Sequence, residues 1–344
     1  MNVLSLFDGM SCGQIALRQL GIPINKYYAA EIDPYAMRVT QNNFPETIHL
    51  GDVTKVKGKD LEKIDLLLGG SPCQGFSFAG KQLNFDDPRS ALFFEFVRLL
   101  KECNPKYFLL ENVRMKKEYQ DVITEHLGVE PITINSALVS AQNRVRLYWT
   151  NIPNITQPED RDIVLKDILE NGIATDEMTT SDKKSFCLTA RYQGAVAWNS
   201  IEKRQRTMVQ VGMANDINGH DILKRIYSPE GKSPTLNAHG GGNTEPKVAC
   251  GALRGRQITP GSKEYTQMLE LREDDKTNTL TSVQKDNVLT QDKMYYRKLT
   301  PLECERLQTV PDGYTEGVSN TQRYKMLGNG WTVEVIKHVL QNIT

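Results

Sequence analysis

Residues 66–77 read LLLGGSPCQGFS, and this stretch decides the fold. It begins as a short apolar run, ends that run with two glycines, and continues directly into Pro72 and Cys73. A short apolar run closed by turn residues is typical of a buried strand in a parallel sheet. Ligand sites in open α/β sheets lie just past the carboxyl ends of such strands, so we expect chemistry at Cys73, although most lone cysteines only pack as small hydrophobes.

The chain opens on another strand and turn. Residues 2–7 are mostly apolar, Asp8 and Gly9 follow, and a helical pattern begins near Ile15. The first N–H groups of a helix that follows a glycine turn can bind a carboxylate or a phosphate. The turn lacks a complete GxGxxG motif, so by itself it fits an ordinary connection between a strand and a helix equally well.

Carboxylates that follow apolar runs predict a nucleoside pocket. Glu31 comes directly after one such run, where its side chain could accept hydrogen bonds from both ribose hydroxyls. Asp52 closes the next run and could accept a hydrogen from an adenine amino group, with Ile32 and Val53 against the ring faces. Together these side chains indicate a nucleoside pocket at the carboxyl edge of the predicted sheet.

Two further segments carry polar side chains suited to chemistry. Glu111 follows a predicted buried strand, and a carboxylate is expensive to bury there unless another group pairs with it. We expect Glu111 to lie beside Cys73 if their two strands are neighbours. Gln142, Arg144 and Arg146 alternate along an extended segment, so they share one face, from which guanidinium groups can reach a phosphate or a base carbonyl.

Composition limits the classes of protein to consider. The 344 residues contain 42 Lys and Arg against 42 Asp and Glu, so any basic surface for nucleic acid must be local. Six cysteines without a CxxC pair argue for reduced thiols and against a metal site. The first ten residues lack the pattern of an export signal, and no run of about eighteen apolar residues could span a membrane. We therefore expect a cytoplasmic protein.

The alternation of strands and helices breaks down between about residues 159 and 289, which indicates a second domain of short strands and loops. A short motif recurs three times there, at residues 185–189, 233–237 and 277–281. After this region a helix is predicted to begin at Pro301, with Thr300 as its cap and Glu303 completing the cap. Residues 327–333 and an amphipathic helix close the chain, and we expect them against the first turn.

Basic residues are concentrated in one part of the second domain. Residues 183–206 contain six basic residues and one acid, which predicts a basic patch, although a solvated charged face would look the same. Lys203 and Arg204 are our candidates for phosphate contacts. Arg254 and Arg256, on either side of a glycine, are candidates for a flexible segment that reads bases.

Three blocks, in this order, resemble the DNA cytosine-C5 methyltransferase family. They are Ser71-Pro72-Cys73-Gln74, Glu111-Asn112-Val113 and Gln142-Asn143-Arg144-Val145-Arg146. The resemblance covers nearly everything outside roughly residues 165–290. In the first turn the family usually shows Phe-x-Gly-x-Gly-Gly, whereas this chain has Ser11 and Cys12 at the later glycines. The changed first turn, and Trp331 where the family usually has a small residue, resemble the corresponding segments of the animal de novo DNA methyltransferases.

The resemblance implies an α/β fold of the class I S-adenosylmethionine-dependent methyltransferases, with a Rossmann-like, mixed seven-stranded sheet. It also implies a second, smaller target-recognition domain rich in strands and loops. Residues 1–160 and 322–344 would form the catalytic domain that binds the cofactor. Residues 161–321 would form the recognition domain and its supporting hinge helix, with duplex DNA between the two domains.

The implied reaction is methyl transfer from S-adenosylmethionine to C5 of a cytosine flipped out of a specific duplex sequence. Cys73 would add its thiolate to C6, and Glu111 would protonate N3. Arg146 would hold O2, and Arg144 would help to order Cys73 and the DNA backbone.

Contact residues follow from the same resemblance. We expect a monomer that uses no metal, and the sequence leaves open whether a restriction endonuclease acts on the same site. The expected cofactor contacts are Phe7, Asp8, Gly9, Met10, Ser11, Glu31, Ile32, Asp52, Val53, Pro72, Leu92, Asn329, Gly330 and Trp331. The expected DNA contacts are Gln74, Ser77, Gln142, Lys203, Arg204, Arg254 and Arg256.

Two alternative functions remain at this point. A tRNA cytosine-C5 methyltransferase would use the same cysteine and glutamate, but such proteins usually lack a long recognition region with repeats. A catalytically inactive regulator that only binds DNA would have to explain why Cys73, Glu111 and Arg146 are all present.

Overall fold

The computed structural model describes residues 1–71, 91–170, 174, 176–195, 200, 203–210, 252–257, 265–270 and 296–343. The chain divides into two compact units, a larger one formed by Met1–Thr207 with Leu299–Thr344 and a smaller one formed by Met208–Lys298. Within the described ranges, no helix is both long enough and apolar enough to cross a membrane.

One sheet organises the larger unit. Its strands are Asn2–Leu6 (β1), Lys26–Ala30 (β2), Ile48–His49 (β3), Leu66–Gly69 (β4), Tyr107–Val113 (β5), Ile132–Asn135 (β6) and Val145–Thr150 (β7). They lie in the order β3, β2, β1, β4, β5, β7, β6. Strands β1 to β5 run parallel to one another, whereas β7 runs antiparallel to both of its neighbours, β5 and β6. The predicted mixed seven-stranded sheet is confirmed.

The central strands are buried on both faces. All four residues of β4 are buried, so side chains that point to opposite faces are equally shielded from water. Strands in this position read as continuous apolar runs rather than as alternating ones. This is why the unbroken run at Leu66, Leu67 and Leu68 was a reliable signal for the middle of the sheet.

Helices alternate with the strands. They are Cys12–Gln19 (α1), Pro34–Asn43 (α2), Ala91–Cys103 (α3) and Lys117–Leu127 (α4). Asp33 caps α2 by accepting a hydrogen bond from the N–H of Tyr35 at 2.9 Å, and Pro34 occupies the first position, where it needs no hydrogen bond. Short 3-10 turns occur at Val53–Lys55, Gly58–Asp60, Ser136–Leu138, Leu165–Ile168, Asp176–Met178 and Tyr192–Gly194.

Three more helices follow in the described part of the larger unit, Pro301–Leu307 (α5), Asn320–Asn329 (α6) and Val333–Leu340 (α7). The predicted cap of α5 is present, because the N–H of Glu303 donates to Thr300 Oγ1 at 3.1 Å and the N–H of Thr300 donates to Glu303 Oε2 at 2.8 Å. Helix α7 packs against α1, as expected for the closing segment. Helix α6 was not predicted from the sequence.

The smaller unit is described as two pairs of antiparallel strands. Met208–Gln210 (β8) pairs with Tyr296–Lys298 (β11), and Ala252–Gln257 (β9) pairs with Tyr265–Glu270 (β10). Arg254 and Arg256 therefore lie in a strand, two residues apart, rather than in the flexible segment that we expected. The larger unit extends beyond the predicted catalytic domain of residues 1–160 and 322–344, because it includes all residues up to Thr207 and all from Leu299. The assignment of catalysis to that domain and of recognition to residues 161–321 stays a prediction.

The repeated motif is described only at its first copy. Residues 185–189 form a single parallel bridge, from Ser185 to Gln142, rather than a strand. The copies at 233–237 and 277–281 lie outside the described residues. The first copy belongs to the larger unit, where it borders the segment that carries Arg144.

Candidate active site

A cavity of about 440 Å³ opens at the carboxyl ends of the central parallel strands. Its position is the one expected for ligands of open α/β sheets. It brings together residues from the first turn, from the ends of β2 and β5, and from the segment between α6 and α7. Of the residues named from the sequence, Phe7, Asp8, Gly9, Glu31, Ile32, Asp52, Val53, Leu92, Glu111, Arg144, Arg146, Asn329, Gly330 and Trp331 line it.

Glu31 ties the turn after β1 to the end of β2. One carboxylate oxygen accepts from the N–H of Gly9 at 2.8 Å, and the other accepts from the N–H groups of Ile32 and Asp33, both at 2.8 Å. Three backbone donors thus fix the side chain on the cavity wall. The Ile32 side chain beside it is 74% exposed, which leaves an apolar surface free at the rim.

Asp8 is an acid whose environment favours protonation. Its carboxylate accepts hydrogen bonds from the hydroxyls of Tyr27, at 2.8 Å, and of Ser11. Burial raises the pKa of Asp8 to about 6, although these hydrogen bonds oppose the shift. Ser11 and Met10, which we expected among the cofactor contacts, are buried and do not line the cavity; Ser11 stands at the start of α1 and hydrogen bonds inward.

Asp52 also lines the cavity. It caps the 3-10 turn that follows it, accepting from the N–H of Thr54 at 3.0 Å and from the Thr54 hydroxyl at 2.8 Å. These hydrogen bonds lower the pKa of Asp52, so the carboxylate is ionised and can act as an acceptor.

Glu111 lies within β5 rather than just after it, because the strand continues to Val113 by pairing with β7. Glu111 Oε1 is 3.0 Å from Nε of Arg146, which projects from β7. Glu111 Oε2 accepts a hydrogen bond from Nε1 of Trp331 at 3.1 Å. Both carboxylate oxygens are therefore held by donors. The free-energy cost of burying Glu111 is offset by its pairing with Arg146 and Trp331, as we expected of a buried carboxylate.

The structure corrects the predicted roles of Gln142 and Arg144. Gln142 is fully buried; it donates to the carbonyl of Leu307 at 3.2 Å and accepts from the N–H of Leu188 at 2.7 Å, so it is not placed to contact DNA. The Arg144 guanidinium is also buried and donates to backbone carbonyls, at 2.8 Å to Leu188 and at 2.9 Å to Gly330. It joins the wall of the cavity to two other segments instead of contacting a phosphate.

Cys187 is a site residue that sequence reasoning missed. Its sulfur lies 3.5 Å from Nη1 of Arg144 and 3.8 Å from Nη2 of Arg146. Burial raises the pKa of this thiol, but the two guanidinium groups outweigh burial, and the net pKa lies below the usual cysteine value. The only signal in the sequence was its place in the first copy of the repeated motif.

Four predicted site residues, Pro72, Cys73, Gln74 and Ser77, lie outside the described residues. The described chain reaches Ser71, which lines the cavity and whose hydroxyl accepts from the Asn112 side chain at 3.2 Å. The strands that lead to Cys73 and to Glu111 are neighbours, as the prediction required. Among the described residues, no group of three or more His, Cys, Asp or Glu could hold a metal ion.

The basic patch predicted at residues 183–206 is divided in the structure. Lys184 is buried and donates to a backbone carbonyl at 2.7 Å, and Lys183 pairs with Asp176. Lys203 and Arg204 are exposed, and although Nη2 of Arg204 donates to the carbonyl of Thr179 at 2.9 Å, both stay our candidates for contact with a phosphate.

Comparison with known proteins decides the class of this site. The model of the C-5 cytosine-specific DNA methylase family matches residues 1–344. The chain belongs to this family. It is a DNA cytosine-5 methyltransferase.

Relatives of known class agree with this assignment along the whole methyltransferase chain, and a solved structure shares its fold. The orphan methyltransferase M.SPRI of Bacillus phage SPR is 30% identical, over 100% of this chain and 97% of that protein. The type II methyltransferase M.NlaIV of Neisseria lactamica is 28% identical, over 100% of this chain and 98% of that protein. The structure of the Entamoeba histolytica methyltransferase EhMeth has the same fold, with a TM-score of 0.62, 16% identity, and coverage of 99% and 97%.

Proposed function

We propose that this methyltransferase transfers the methyl group of S-adenosylmethionine to C5 of a cytosine that is flipped out of a specific sequence in duplex DNA. The observation that supports this most is the cavity itself. Its walls carry both the acceptors suited to a nucleoside, Glu31 and Asp52, and the Glu111–Arg146 pair suited to a base. Cofactor and target base would thus meet in one space.

The residues of the cavity fit S-adenosylmethionine. The volume of about 440 Å³ lies within the range of roughly 300 to 1,000 Å³ that is usual for small-molecule sites. Glu31 and Asp52 can accept from ribose hydroxyls and an adenine amino group, and Ile32 and Trp331 offer apolar surface to a ring. When bound, the cofactor supplies an activated methyl group on a sulfonium centre.

Covalent addition by Cys73 would activate the base. C5 of cytosine is a poor nucleophile, so attack of the Cys73 thiolate on C6 is needed to form an enamine that can attack the methyl group. Glu111 would deliver a proton to N3 as the adduct forms, while Arg146 holds O2. Transfer of the C5 proton to solvent, expulsion of the Cys73 thiolate from C6 and return of the N3 proton to Glu111 would then release the methylated base.

Arg144 would contribute to this chemistry only through position. Its guanidinium binds the carbonyls of Leu188 and Gly330, so it holds the segment before Trp331 against β7. This differs from a direct contact with the DNA backbone. The Ser71 carbonyl, two residues before Cys73 in the chain, would accept from the N4 amino group of the base.

DNA recognition would rest on residues 161–321. Lys203 and Arg204 would contact phosphates, and Arg254 and Arg256 would read bases; Arg contacts to a guanine are typically worth about 1 to 3 kcal/mol of discrimination per base pair. Gln74 and Ser77 would contact DNA beside the flipped base.

We also propose that the protein is a monomer that works in the cytoplasm. Some relatives are named orphan methyltransferases and others type II methyltransferases. We propose a companion endonuclease only if this protein is of the type II kind.

The proposed function can be tested by one transfer assay. The protein is incubated with S-adenosylmethionine labelled in the methyl group, and with either duplex DNA or tRNA as acceptor. Label in C5 of DNA cytosine, lost on Cys73→Ser, is the expected result. Label in tRNA alone would establish the tRNA enzyme instead, and DNA binding without transfer to either acceptor would establish an inactive regulator.

A further inference from the structure

The Trp331 indole is shared between the cofactor cavity and Glu111. Its ring lines the cavity, and its Nε1–H donates to Glu111 Oε2 at 3.1 Å. The second oxygen, Oε1, is 3.0 Å from Nε of Arg146. An indole nitrogen can only donate, so Trp331 and Arg146 together fix the carboxylate at both of its oxygens.

Gly70 allows the indole to lie where it does. A Cβ atom added to Gly70 would stand 2.9 Å from Nε1 of Trp331, too close without a shift, whereas one added to Gly13 would make an ordinary contact of 3.6 Å with Cζ3 of the ring. Only a glycine at position 70 lets the backbone approach the indole this closely. The ring is therefore seated between the end of β4 and the start of α1, and its N–H is aimed at Glu111 by the surrounding backbone.

We propose that Trp331 is a positioning residue for Glu111, which it holds in the orientation shared with Arg146, in addition to forming part of the cofactor pocket. This inference rests on the proposed function, in which Glu111 delivers a proton to cytosine N3. Small displacements of a catalytic group can cost large factors in rate, because proton transfer needs the two atoms within hydrogen-bond reach. Loss of the N–H should then affect turnover more than cofactor binding.

The test is Trp331→Phe, which keeps an aromatic ring but removes the N–H. Trp149→Phe is the matched control, because Trp149 is fully buried in β7, away from the cavity, and its Nε1 donates to Thr124 Oγ1 at 3.0 Å. We expect Trp331→Phe to lower kcat by roughly tenfold to a hundredfold, in keeping with removal of a hydrogen bond to a charged group. Its Kd for S-adenosylmethionine should change by less than about threefold. Trp149→Phe should leave kcat unchanged.

A double-variant cycle separates positioning from general loss of structure. If Trp331 acts through the Glu111 carboxylate, adding Trp331→Phe to Glu111→Gln should cost much less than adding it to the wild type. An equal cost in both backgrounds, or a kcat of Trp331→Phe equal to that of Trp149→Phe, would overturn the positioning role alone. Full activity of Glu111→Gln would overturn both that role and the proton delivery proposed for Glu111.

A second variant guards against a protein that does not fold. Gly70→Ala retains the indole but displaces its nitrogen, so it should reproduce the loss of kcat. Both kcat and the cofactor Kd of Gly70→Ala are measured. An unchanged kcat in this variant would also contradict the inference.

Discussion

At the scale of single residues, proton delivery depends on Glu111. Glutamine has nearly the same size and keeps one acceptor for Arg146, but it cannot pass on a proton. We expect Glu111→Gln to lower the rate constant of methyl transfer by roughly a hundredfold to ten-thousandfold, the usual contribution of general acid catalysis. Single-turnover methyl transfer to a duplex substrate measures this directly. A rate within a factor of about two of the wild type would mean that Glu111 serves only the fold.

The Cys187 thiol should be unusually reactive for a half-buried cysteine. Burial raises its pKa, but Arg144 and Arg146 together lower the pKa by more, whereas at Cys103 burial and Glu102 raise the pKa by more than Arg98 lowers it. A lower pKa means a larger thiolate fraction near neutral pH. We therefore expect iodoacetamide to modify Cys187 faster than Cys103 at about pH 7.5, read peptide by peptide in a mass spectrometer. Equal or slower modification of Cys187 would contradict the proposed charge balance.

Several of these residues could be predicted from the sequence because their positions relative to the strands are local. Glu31 and Asp52 follow apolar runs, and both line the cavity. The burial of Gln142 could not be predicted, since its partners Leu307 and Gln308 lie 165 and 166 residues away. Alternation showed that Gln142 and Arg144 share a face, but not that the rest of the chain would cover that face.

At the scale of elements, caps and periodicity located most strands and helices, and long-range contacts account for the rest. Helix α6 contains mainly polar residues, so it lacks a helical apolar stripe. It is held instead by distant contacts, such as the hydrogen bond from the Tyr324 hydroxyl to the carbonyl of Leu299 at 2.8 Å. Contacts with a distant segment also explain why strand β5 is longer than its apolar run, because β7 pairs with Glu111, Asn112 and Val113.

The cap of α5 allows a test of the account at this scale. Thr300→Ala removes the hydroxyl that accepts from the N–H of Glu303, so the free energy of unfolding should fall by about 1 kcal/mol. Ser319→Ala is the matched control, since Ser319 precedes α6 and makes no side-chain cap hydrogen bond. Urea unfolding of both variants measures the difference. Equal losses would show that the cap of α5 contributes nothing specific.

At the scale of the whole molecule, a neutral chain must bind DNA through local charge. If Lys203 and Arg204 contact phosphates, replacing both with glutamine should weaken binding to target and non-target duplexes alike. The slope of log affinity against log salt should fall by roughly 1.8, which is about 0.9 for each phosphate that the variant no longer neutralises. Cofactor affinity should not change. A salt titration measures this.

The matched control removes the same charge from a different segment of the larger unit. Lys57 and Lys59 are exposed, and their double replacement with glutamine should leave the slope unchanged. If both double variants shift the slope equally, overall charge is responsible, and the recognition surface is not the one proposed.

Covalent addition of Cys73 to the target base joins every part of this account, because it requires the flipped cytosine, the thiolate and the cofactor in one cavity. The most direct measurement is the intact mass of the protein after incubation with S-adenosylmethionine and a duplex that carries 5-fluorocytosine at the target position. Fluorine cannot leave as a cation, so the elimination step is blocked and the adduct accumulates. The account predicts a protein–DNA adduct for the wild type and none for Cys73→Ser. Absence of an adduct under conditions where normal DNA is methylated, or its persistence in Cys73→Ser, would contradict it.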